Sequence, residues 1–205
     1  SVMEVSRLGG LSGAAVMKGR VADSRGFTIA RVVAKVDMVG VVRDELQRYG
    51  RHVAPKLGIG TFAHKVYEVQ HGAGRYGAAF YKLADGPSID LFDLIESDSE
   101  AAVLAVARLR VALGEWSVIT AHERVTVGSL RSTRVLTRRL AAFETQLDEV
   151  NWHEVEELDL EIPMAIQHGD LHGRNILVND FGSTPIVIDY GDVGPAPVML
   201  DAVTL

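Results

Sequence analysis

The sequence of 205 residues predicts an α+β fold with two lobes, a β-rich N-terminal lobe over residues 1–84 and a helical C-terminal lobe over residues 85–205. Two observations support this division. Segments rich in β-branched residues alternate with glycine turns in the first lobe, as is typical of antiparallel strands. Apolar residues at helical spacing dominate the second lobe. The boundary falls in the segment ADGPS (84–88), where a glycine and a proline interrupt both patterns.

The N-terminal lobe is predicted to contain five strands and one helix. The predicted strands are two within residues 4–21, around a glycine turn, one at 27–37, and a pair at 64–70 and 76–83. The helix covers residues 36–53, and Gly50 is a plausible stop. Its apolar positions at helical spacing are Val41, Val42, Leu46 and Tyr49.

The C-terminal lobe is predicted to begin with helices and to end with two short strands. The predicted helices are 90–97, with Asp90 as a possible cap, 100–116, which is apolar on most sides, and 130–150, which is amphipathic. The apolar character of 100–116 predicts a helix buried in a helical layer. The strands are NILV (175–178) and PIVIDY (185–190).

Composition excludes several classes of protein. Hydrophobic residues make up 47% of the chain and charged residues 23%, as in soluble globular proteins. A net charge of -6 argues against a protein that coats nucleic acid, although small phosphorylated ligands remain compatible with it. The chain has no cysteine, which excludes disulfides and thiolate metal sites. We find neither an apolar run of membrane-spanning length nor a secretion signal, so we expect a cytoplasmic protein with no membrane partner.

The segment QHGDLHGRNILV (167–178) carries the strongest chemical signal. Phosphoryl transfer needs a carboxylate that orients the attacking hydroxyl and oxygen ligands for a metal near the phosphates. Asp170 can supply the carboxylate, and Asn175 with Asp189, at the end of an apolar run, can hold Mg²⁺. Either aspartate alone could simply cap a turn or end a strand in water. The ordered set of three favours a phosphoryl-transfer site.

A second chemical interpretation of GDLHG is a metallophosphoesterase, whose GD-x-HG fragment it resembles. That family needs further metal-binding histidines downstream. The chain has no histidine after residue 175, which makes a dinuclear site a remote alternative.

Two glycine-rich segments are candidate phosphate loops. HGAGRYG (71–77) fits G-x-G-x-x-G, but a strand-like segment rather than a helix follows it, so we interpret it as a hairpin turn. LGGLSGA (8–14) lies between two predicted strands, where small residues let backbone N–H groups approach a phosphate. Its candidate residues are Gly9, Gly10, Ser12 and Gly13. A plain hairpin turn is the alternative.

Lys35 and Glu45 complete the set of candidate residues. Lys35 is flanked by Val33, Ala34 and Val36, and a lysine in a half-buried strand is costly unless it meets an anion. Glu45, ten residues later on the predicted helix, could pair with it. The alternatives are a strand lysine that faces solvent and a solvated helix face.

In this order, the residues make the chain resemble the protein-kinase-like superfamily, and within it the aminoglycoside and choline kinase type. HGDLHGRNIL (168–177) is similar to the HGD-x-H-x-x-N-[IL] catalytic loop of those kinases, and VIDYGD (187–192) is similar to their metal segment. The helical stretch at about 117–166 resembles the insert of aminoglycoside kinases. Residues 194–205 loosely resemble the segment ending in D-L-A that follows the metal site.

The resemblance implies a role for each matching residue. Lys35 would hold the α- and β-phosphates of ATP, Asp170 would act as the base, and Asn175 and Asp189 would bind Mg²⁺. Backbone groups from Tyr81 through Leu83 to Ala84 would bind the adenine. The supporting residues of the motifs would be His168, His172, Asp192 and Asp201, with His172 shaping the catalytic loop and Asp201 supporting it.

In these kinases further helices follow the D-L-A segment and help to build the acceptor pocket, whereas this chain ends at Leu205. We therefore expect a kinase-like fold that is truncated after the metal segment. The expected activity is ATP- and Mg²⁺-dependent phosphoryl transfer to a small-molecule hydroxyl. The alternative is a nucleotide-binding regulatory domain of a larger protein, without turnover, that contacts a partner domain.

Overall fold

The computed structural model describes residues 2–8, 14–71, 73–82, 88–132, 150–179 and 184–205. Several predicted features lie outside the described residues: Gly9, Gly10, Ser12 and Gly13 of the candidate phosphate loop, Leu83, and most of the predicted helix 130–150.

A five-stranded antiparallel sheet forms the N-terminal part of the chain. Its strands, in spatial order, are β1 (Val2–Leu8), β2 (Ala15–Ala22), β3 (Thr28–Met38), β5 (Tyr76–Lys82) and β4 (His64–Val69). The five predicted strands are confirmed. So is the interpretation of 71–77 as a hairpin turn, because β4 and β5 pair with each other on either side of it.

The register of the sheet brings four side chains to one face. Lys35 on β3 lies opposite Val16 on β2 and opposite Ala79 on β5. Two residues earlier, Val33 lies opposite Tyr81 on β5. Residues directly opposite each other in an antiparallel pair, and those two apart along a strand, point to the same side of a sheet. This face therefore carries Lys35, Val16, Val33 and Tyr81 together.

Helix α1 (Val39–Arg48) follows β3 without a loop. Its buried positions are Val42, Glu45 and Leu46. Val41, predicted on the apolar stripe, is exposed. Gly50 does not stop the helical path, which continues as a π-helical turn over Tyr49–Val53, because the backbone N–H of Ala54 bonds back to the carbonyl of Tyr49.

The first helix after the sheet is α2 (Leu91–Ser97), as predicted. The carboxylate of Asp90 accepts a hydrogen bond of 3.0 Å from the backbone N–H of Asp93. This is an N-cap, which satisfies one of the free donors at the start of the helix. The predicted cap is confirmed.

Helix α3 (Ser99–Ala112) is shorter and less buried than predicted. One stripe packs on the core, at Ala102, Ala105 and Leu109. The other side is exposed in the described structure, at Val103, Leu104, Val106 and Val111. An apolar composition on most sides therefore did not indicate burial on most sides, and the prediction of a helix buried in a helical layer is wrong.

Two small sheets lie in the C-terminal part. One consists of β6 (Ser88–Asp90), β9 (Ile176–Asn179) and β10 (Pro185–Val187), in the order β10-β9-β6. The other consists of β7 (Ala121–Thr126), β8 (Asp159–Gln167) and β11 (Gly194–Pro197), in the order β11-β8-β7. The second sheet corrects the prediction of a helical stretch over 117–166, since two of its strands come from that stretch.

The remaining described helices are short: α4 (Val127–Ser132), α5 (Trp152–Glu157), a 3-10 turn (Gly173–Asn175) and α6 (Leu200–Thr204). In the part of the chain that the structure describes, no helix combines the length and the apolar character of a membrane span. The α+β class with a sheet-rich N-terminal part is confirmed.

One hydrophobic core runs through both parts of the chain. From the N-terminal part it includes Val42 and Tyr49, and from the C-terminal part Leu109, Ile176 and Tyr190. Backbone bonds also cross between the two parts, since the N–H of Val187 on β10 donates to the carbonyl of Thr61 over 2.9 Å. The face of the N-terminal sheet that carries Lys35 and Tyr81 is thereby held against the C-terminal segments that contain the predicted site residues.

Candidate active site

A cleft of about 870 Å³ lies between the N-terminal sheet and the C-terminal motifs. From the sheet, Lys35 and Tyr81 line it, and from the other side Asp170, Asn175 and Asp189 do. The structure therefore brings together residues that are up to 154 positions apart in the chain.

Lys35 holds two carboxylates at once. Its Nζ lies 2.9 Å from Oε2 of Glu45 and 2.6 Å from Oδ1 of Asp189. Burial alone would lower the pKa of Lys35, but the charges and hydrogen bonds of the two carboxylates outweigh it and hold the pKa above its ordinary value. Lys35 therefore stays protonated near neutral pH. Of its three N–H donors, two are directed at carboxylates and the third can meet an anion in the cleft.

Glu45 is buried, with 3% of its side chain exposed. A buried carboxylate is costly unless cations and donors compensate it. Oε2 has the ammonium group of Lys35, and Oε1 accepts a hydrogen bond of 2.8 Å from the hydroxyl of Tyr81. Both oxygens are thus satisfied, and the alternative of a solvated helix face does not apply to Glu45.

Asp189 lies beyond the end of a strand rather than within one. The predicted strand 185–190 ends at Val187, and Asp189 has a φ of 63°, in the left-handed region that residues other than glycine rarely adopt. Such backbone conformations persist where the surroundings hold them in place. Burial would raise the pKa of Asp189, but the adjacent Lys35 outweighs it and keeps this pKa below its ordinary value.

Two backbone contacts hold the Asp189 segment from either side. The N–H of Ile188 donates to the carbonyl of Asn175 over 3.0 Å, which joins the segment to the catalytic loop. The guanidinium of Arg48, at the end of α1, donates to the carbonyl of Gly191. The Arg48 contact had no signal in the sequence, because it depends on how α1 packs.

The loop predicted to be catalytic places Asp170 and Asn175 side by side. The side chain of Asp170 is exposed to the cleft, with 59% of it accessible. The Nδ2 of Asn175 donates to the backbone carbonyl of Asp170 over 2.9 Å. Because this bond fixes the amide nitrogen, the amide oxygen of Asn175 remains as its acceptor or metal ligand.

His172 lines the cleft, and its ring also contacts the loop that carries Asp170. The Nδ2 of Asn175 lies 3.3 Å from Nε2 of His172, so that nitrogen acts as the acceptor. Nε2 is 3.7 Å from the carboxylate of Asp170, too long for a hydrogen bond. The ring stacks on Phe92 of α2, with centroids 6.5 Å apart and planes at 14°. These contacts fit a residue that shapes the loop.

Asp201 supports the start of the catalytic loop. Its carboxylate accepts hydrogen bonds from the backbone N–H groups of His168, at 2.6 Å, and Gly169, at 3.0 Å. Its own N–H donates to the side-chain oxygen of Gln167 over 3.2 Å. Helix α6, which carries Asp201, is thereby tied to the end of β8.

His168 is fully buried beneath the loop, and burial lowers its pKa, so it is neutral in the folded protein. Its Nε2 lies 3.0 Å from the carbonyl of Ile188, and a carbonyl can only accept. The proton of the neutral ring is therefore on Nε2. Nδ1 has no hydrogen-bond partner among the described residues.

Gly169 permits a close approach between the two motifs. Its φ is 85°, and a Cβ at this position would lie 2.6 Å from the carbonyl oxygen of Asp192. Only glycine fits here. Asp192 is exposed, and its carbonyl group and Cβ are the atoms that lie beside Gly169.

The oxygen donors in the cleft fit Mg²⁺. The described residues contain no cluster of three or more histidine, aspartate or glutamate side chains able to hold a metal by themselves. Magnesium, however, is usually bound by one or two protein oxygen ligands together with water and the phosphates of the substrate. The amide oxygen of Asn175 and the carboxylate of Asp189 form such a partial set, and both line the cleft.

Comparison with known proteins gives a consistent result. The model of the phosphotransferase enzyme family matches residues 20–205. None of the curated proteins compared matches the chain.

Several solved structures share the fold. A thermostable mutant of aminoglycoside phosphotransferase APH(4)-Ia in its apo form has 15% identity and a TM-score of 0.62, over 98% of this chain and 71% of that chain. A ternary complex of that protein with ADP and hygromycin B also has 15% identity and a TM-score of 0.62, over 100% and 72%. The GDP and kanamycin complex of APH(2")-IIia has 17% identity and a TM-score of 0.61, over 100% and 72%.

The resemblance to aminoglycoside and choline kinases is therefore confirmed at the level of the family and the fold. The family model covers most of the chain, including the segments 168–177 and 187–192 that carry the resemblance. The chain belongs to the phosphotransferase enzyme family.

Proposed function

We propose that the chain is an ATP- and Mg²⁺-dependent phosphotransferase that acts on the hydroxyl group of a small molecule. One observation carries the proposal: a lysine held by two carboxylates faces an exposed aspartate and an amide oxygen across the same cleft. This arrangement supplies the positive charge, the metal ligands and the base that phosphoryl transfer needs.

Lys35 is proposed to bind the phosphates of the nucleotide. Its ammonium group is positioned by Glu45 and Asp189, so that little reorganisation is needed when the phosphates arrive. The residues that fit Mg²⁺, Asn175 and Asp189, are proposed to hold it. When bound, the metal neutralises charge on the phosphates.

Asp170 is proposed to orient the acceptor and take its proton. Its carboxylate is exposed to the cleft, while its backbone carbonyl is fixed by Asn175. The acceptor oxygen forms a bond to the γ-phosphorus as the bond from that phosphorus to the bridging oxygen of ADP breaks. The proton of the hydroxyl passes to the carboxylate of Asp170.

The nucleotide is proposed to lie with its base towards the end of β5, where backbone groups of residues 81–84 would bind the adenine. We also propose the division into a nucleotide-binding lobe, 1–84, and a lobe with the catalytic residues, 85–205. Two of the similar structures are complexes with ADP and with GDP, which supports nucleotide binding by this fold.

The acceptor is proposed to be a small molecule that carries a hydroxyl and positive charge. Asp93 and Asp170 line the cleft and would attract a cation. The similar structures contain hygromycin B and kanamycin. A panel of acceptors would therefore start with aminoglycosides and choline.

The test combines binding with turnover. Thermal unfolding is followed with ATP, with Mg²⁺ and with both, and we expect the largest stabilisation from the pair. Phosphate transfer to the panel is then measured for the wild type, Asp170→Asn and Asp189→Asn. Asp44→Asn, an exposed carboxylate on α1, is the matched control.

We expect transfer to fall by at least two orders of magnitude in Asp170→Asn, because general-base catalysis contributes roughly 10²- to 10⁴-fold. If the pair of ATP and Mg²⁺ gives no stabilisation, the proposed site is wrong. Binding without transfer to any acceptor would instead identify a regulatory nucleotide-binding domain.

A further inference from the structure

The proposed reaction gives no role to the side chain of Tyr81, although this residue lines the cleft. Its hydroxyl donates to Oε1 of Glu45 over 2.8 Å, in the interior of the protein. Burial, together with the adjacent Glu45 carboxylate, raises the pKa of Tyr81 far above its ordinary value. The phenol is therefore protonated near neutral pH and donates to Glu45.

Glu45 has two charged or polar partners, one for each oxygen. With Oε1 bound to Tyr81, only Oε2 is directed at Lys35, over 2.9 Å. Without the phenol, the carboxylate could rotate or leave this buried position, because an oxygen without a donor is costly there. The hydroxyl of Tyr81 thus determines the orientation in which Glu45 meets Lys35.

Tyr81 is itself held by aromatic neighbours. The ring of Tyr190 packs against it edge to face, with centroids 5.5 Å apart, and the ring of Tyr49 lies 5.8 Å away. The hydroxyl of Tyr190 donates to the carbonyl of Val187 over 2.6 Å. Tyr190 follows Asp189 directly, so the cluster links the Asp189 segment to the residue that orients Glu45.

We infer that Tyr81 is a positioning residue, whose hydroxyl holds Glu45 against Lys35 and thereby places the ammonium group that meets the nucleotide phosphates. The inference rests on the proposed function for the role of Lys35. It adds that β5 contributes a side chain to the phosphate end of the cleft, in addition to the backbone proposed to bind the base.

The test removes one hydroxyl at a time. Tyr81→Phe removes the donor to Glu45 and keeps the ring. Tyr49→Phe is the matched control, because Tyr49 belongs to the same aromatic cluster but its hydroxyl accepts from the backbone N–H of Lys65, 3.1 Å away. The dissociation constants of ADP with Mg²⁺ and of adenosine are measured for each variant.

We expect Tyr81→Phe to weaken the binding of ADP with Mg²⁺ by about tenfold, which corresponds to one hydrogen bond to a charged group. Adenosine has no phosphates to meet Lys35, so its binding should change less than about twofold. General damage to the fold would weaken the binding of both ligands. Tyr49→Phe should leave both dissociation constants at the wild-type values.

A second comparison checks that Tyr81 acts through Glu45. In the Glu45→Gln background, Tyr81→Phe should change the binding of ADP by less than about twofold, because the carboxylate that it positions is gone. Equal binding of ADP by Tyr81→Phe and Tyr49→Phe would overturn the inference. So would an effect of Tyr81→Phe that is undiminished in the Glu45→Gln background.

The failure of the proposed function can be told apart from the failure of this inference. If the wild type binds neither ADP nor adenosine, the proposed function is wrong. The wild type, Tyr81→Phe, Glu45→Gln and the double variant are then compared by urea unfolding. A coupling between Tyr81→Phe and Glu45→Gln in stability would then support the contact and its positioning effect. Strictly additive losses would refute it.

Discussion

The Nζ atom of Lys35 lies 2.6 Å from Oδ1 of Asp189, so one ion pair joins β3 to the segment that follows β10. The same ammonium group also holds Glu45 of α1. Two consecutive elements of the N-terminal part, β3 and α1, therefore meet a distant C-terminal segment at one cation. Its removal should affect both the stability of the fold and the binding of phosphates.

Lys35→Met should lower the free energy of unfolding by about 3 kcal/mol, because removing one partner of a buried ion pair leaves an uncompensated charge. Here that charge is Glu45, which has 3% of its side chain exposed. Urea unfolding measures the change. Lys65→Met is the control, since Lys65 pairs with Glu68 at the surface and such a pair contributes less than about 1 kcal/mol. Equal losses in the two variants would contradict the role of burial.

Acid should destabilise the protein through His168. Its pKa is lowered by burial in the folded state, so below the ordinary value of 6.5 the unfolded chain binds a proton that the folded protein does not. Stability should therefore fall as the pH falls below 6.5, by up to about 1.4 kcal/mol per pH unit.

The pH dependence of urea unfolding in wild type, His168→Asn and His122→Asn checks this assignment. His168→Asn should lose part of the slope, because asparagine does not titrate. His122 is exposed on β7, and its replacement should leave the slope intact. An unchanged slope in His168→Asn would assign the acid effect to other groups.

Asp201→Asn should reduce phosphate transfer more than it reduces nucleotide affinity. The carboxylate accepts from the backbone N–H groups of His168 and Gly169 and so fixes the loop that ends at Asp170. An amide provides one acceptor oxygen in place of two. The loss of one hydrogen bond to a charged group corresponds to a rate of phosphate transfer that is roughly 10- to 100-fold lower. Steady-state kinetics should show the loss in kcat, with KM for ATP changed by less than about threefold. A loss confined to KM would contradict this role.

Gly169→Ala should destabilise the protein by more than about 2 kcal/mol. The left-handed backbone costs a residue with a Cβ roughly 1–2 kcal/mol, and the new atom would also lie 2.6 Å from the carbonyl oxygen of Asp192. Gly58→Ala is the matched control, because its Cβ would meet no atom within 4 Å. Thermal unfolding should separate the two variants clearly, and similar melting temperatures would show that the loop can move away.

The local motifs of the site could be identified from sequence because their residues are close together in the chain. Asp170 and Asn175 are five positions apart, and their neighbourhood in the fold follows from one loop. The geometry around Lys35 also agrees with the pairing expected from its spacing to Glu45. The roles of these residues in binding and transfer remain predictions.

The contact of Tyr81 with Glu45 could not be predicted in the same way. It depends on the register of β5 against β3 and on the packing of α1, which no local pattern reports. The sheet of β7, β8 and β11 was missed for a different reason. Strand β8 contains Pro163, and a proline within an apolar run weakens the pattern of a strand.

The continuous hydrophobic core has a consequence for how the protein unfolds. Because apolar side chains from α1, α3 and β9 pack in one cluster, neither half of the chain can lose its packing without exposing the other. We expect heat to produce a single cooperative transition rather than separate melting of two lobes. Tryptophan fluorescence reports Trp116 in the core together with Trp152 on α5. Melting curves recorded by this fluorescence and by far-ultraviolet circular dichroism should therefore superimpose.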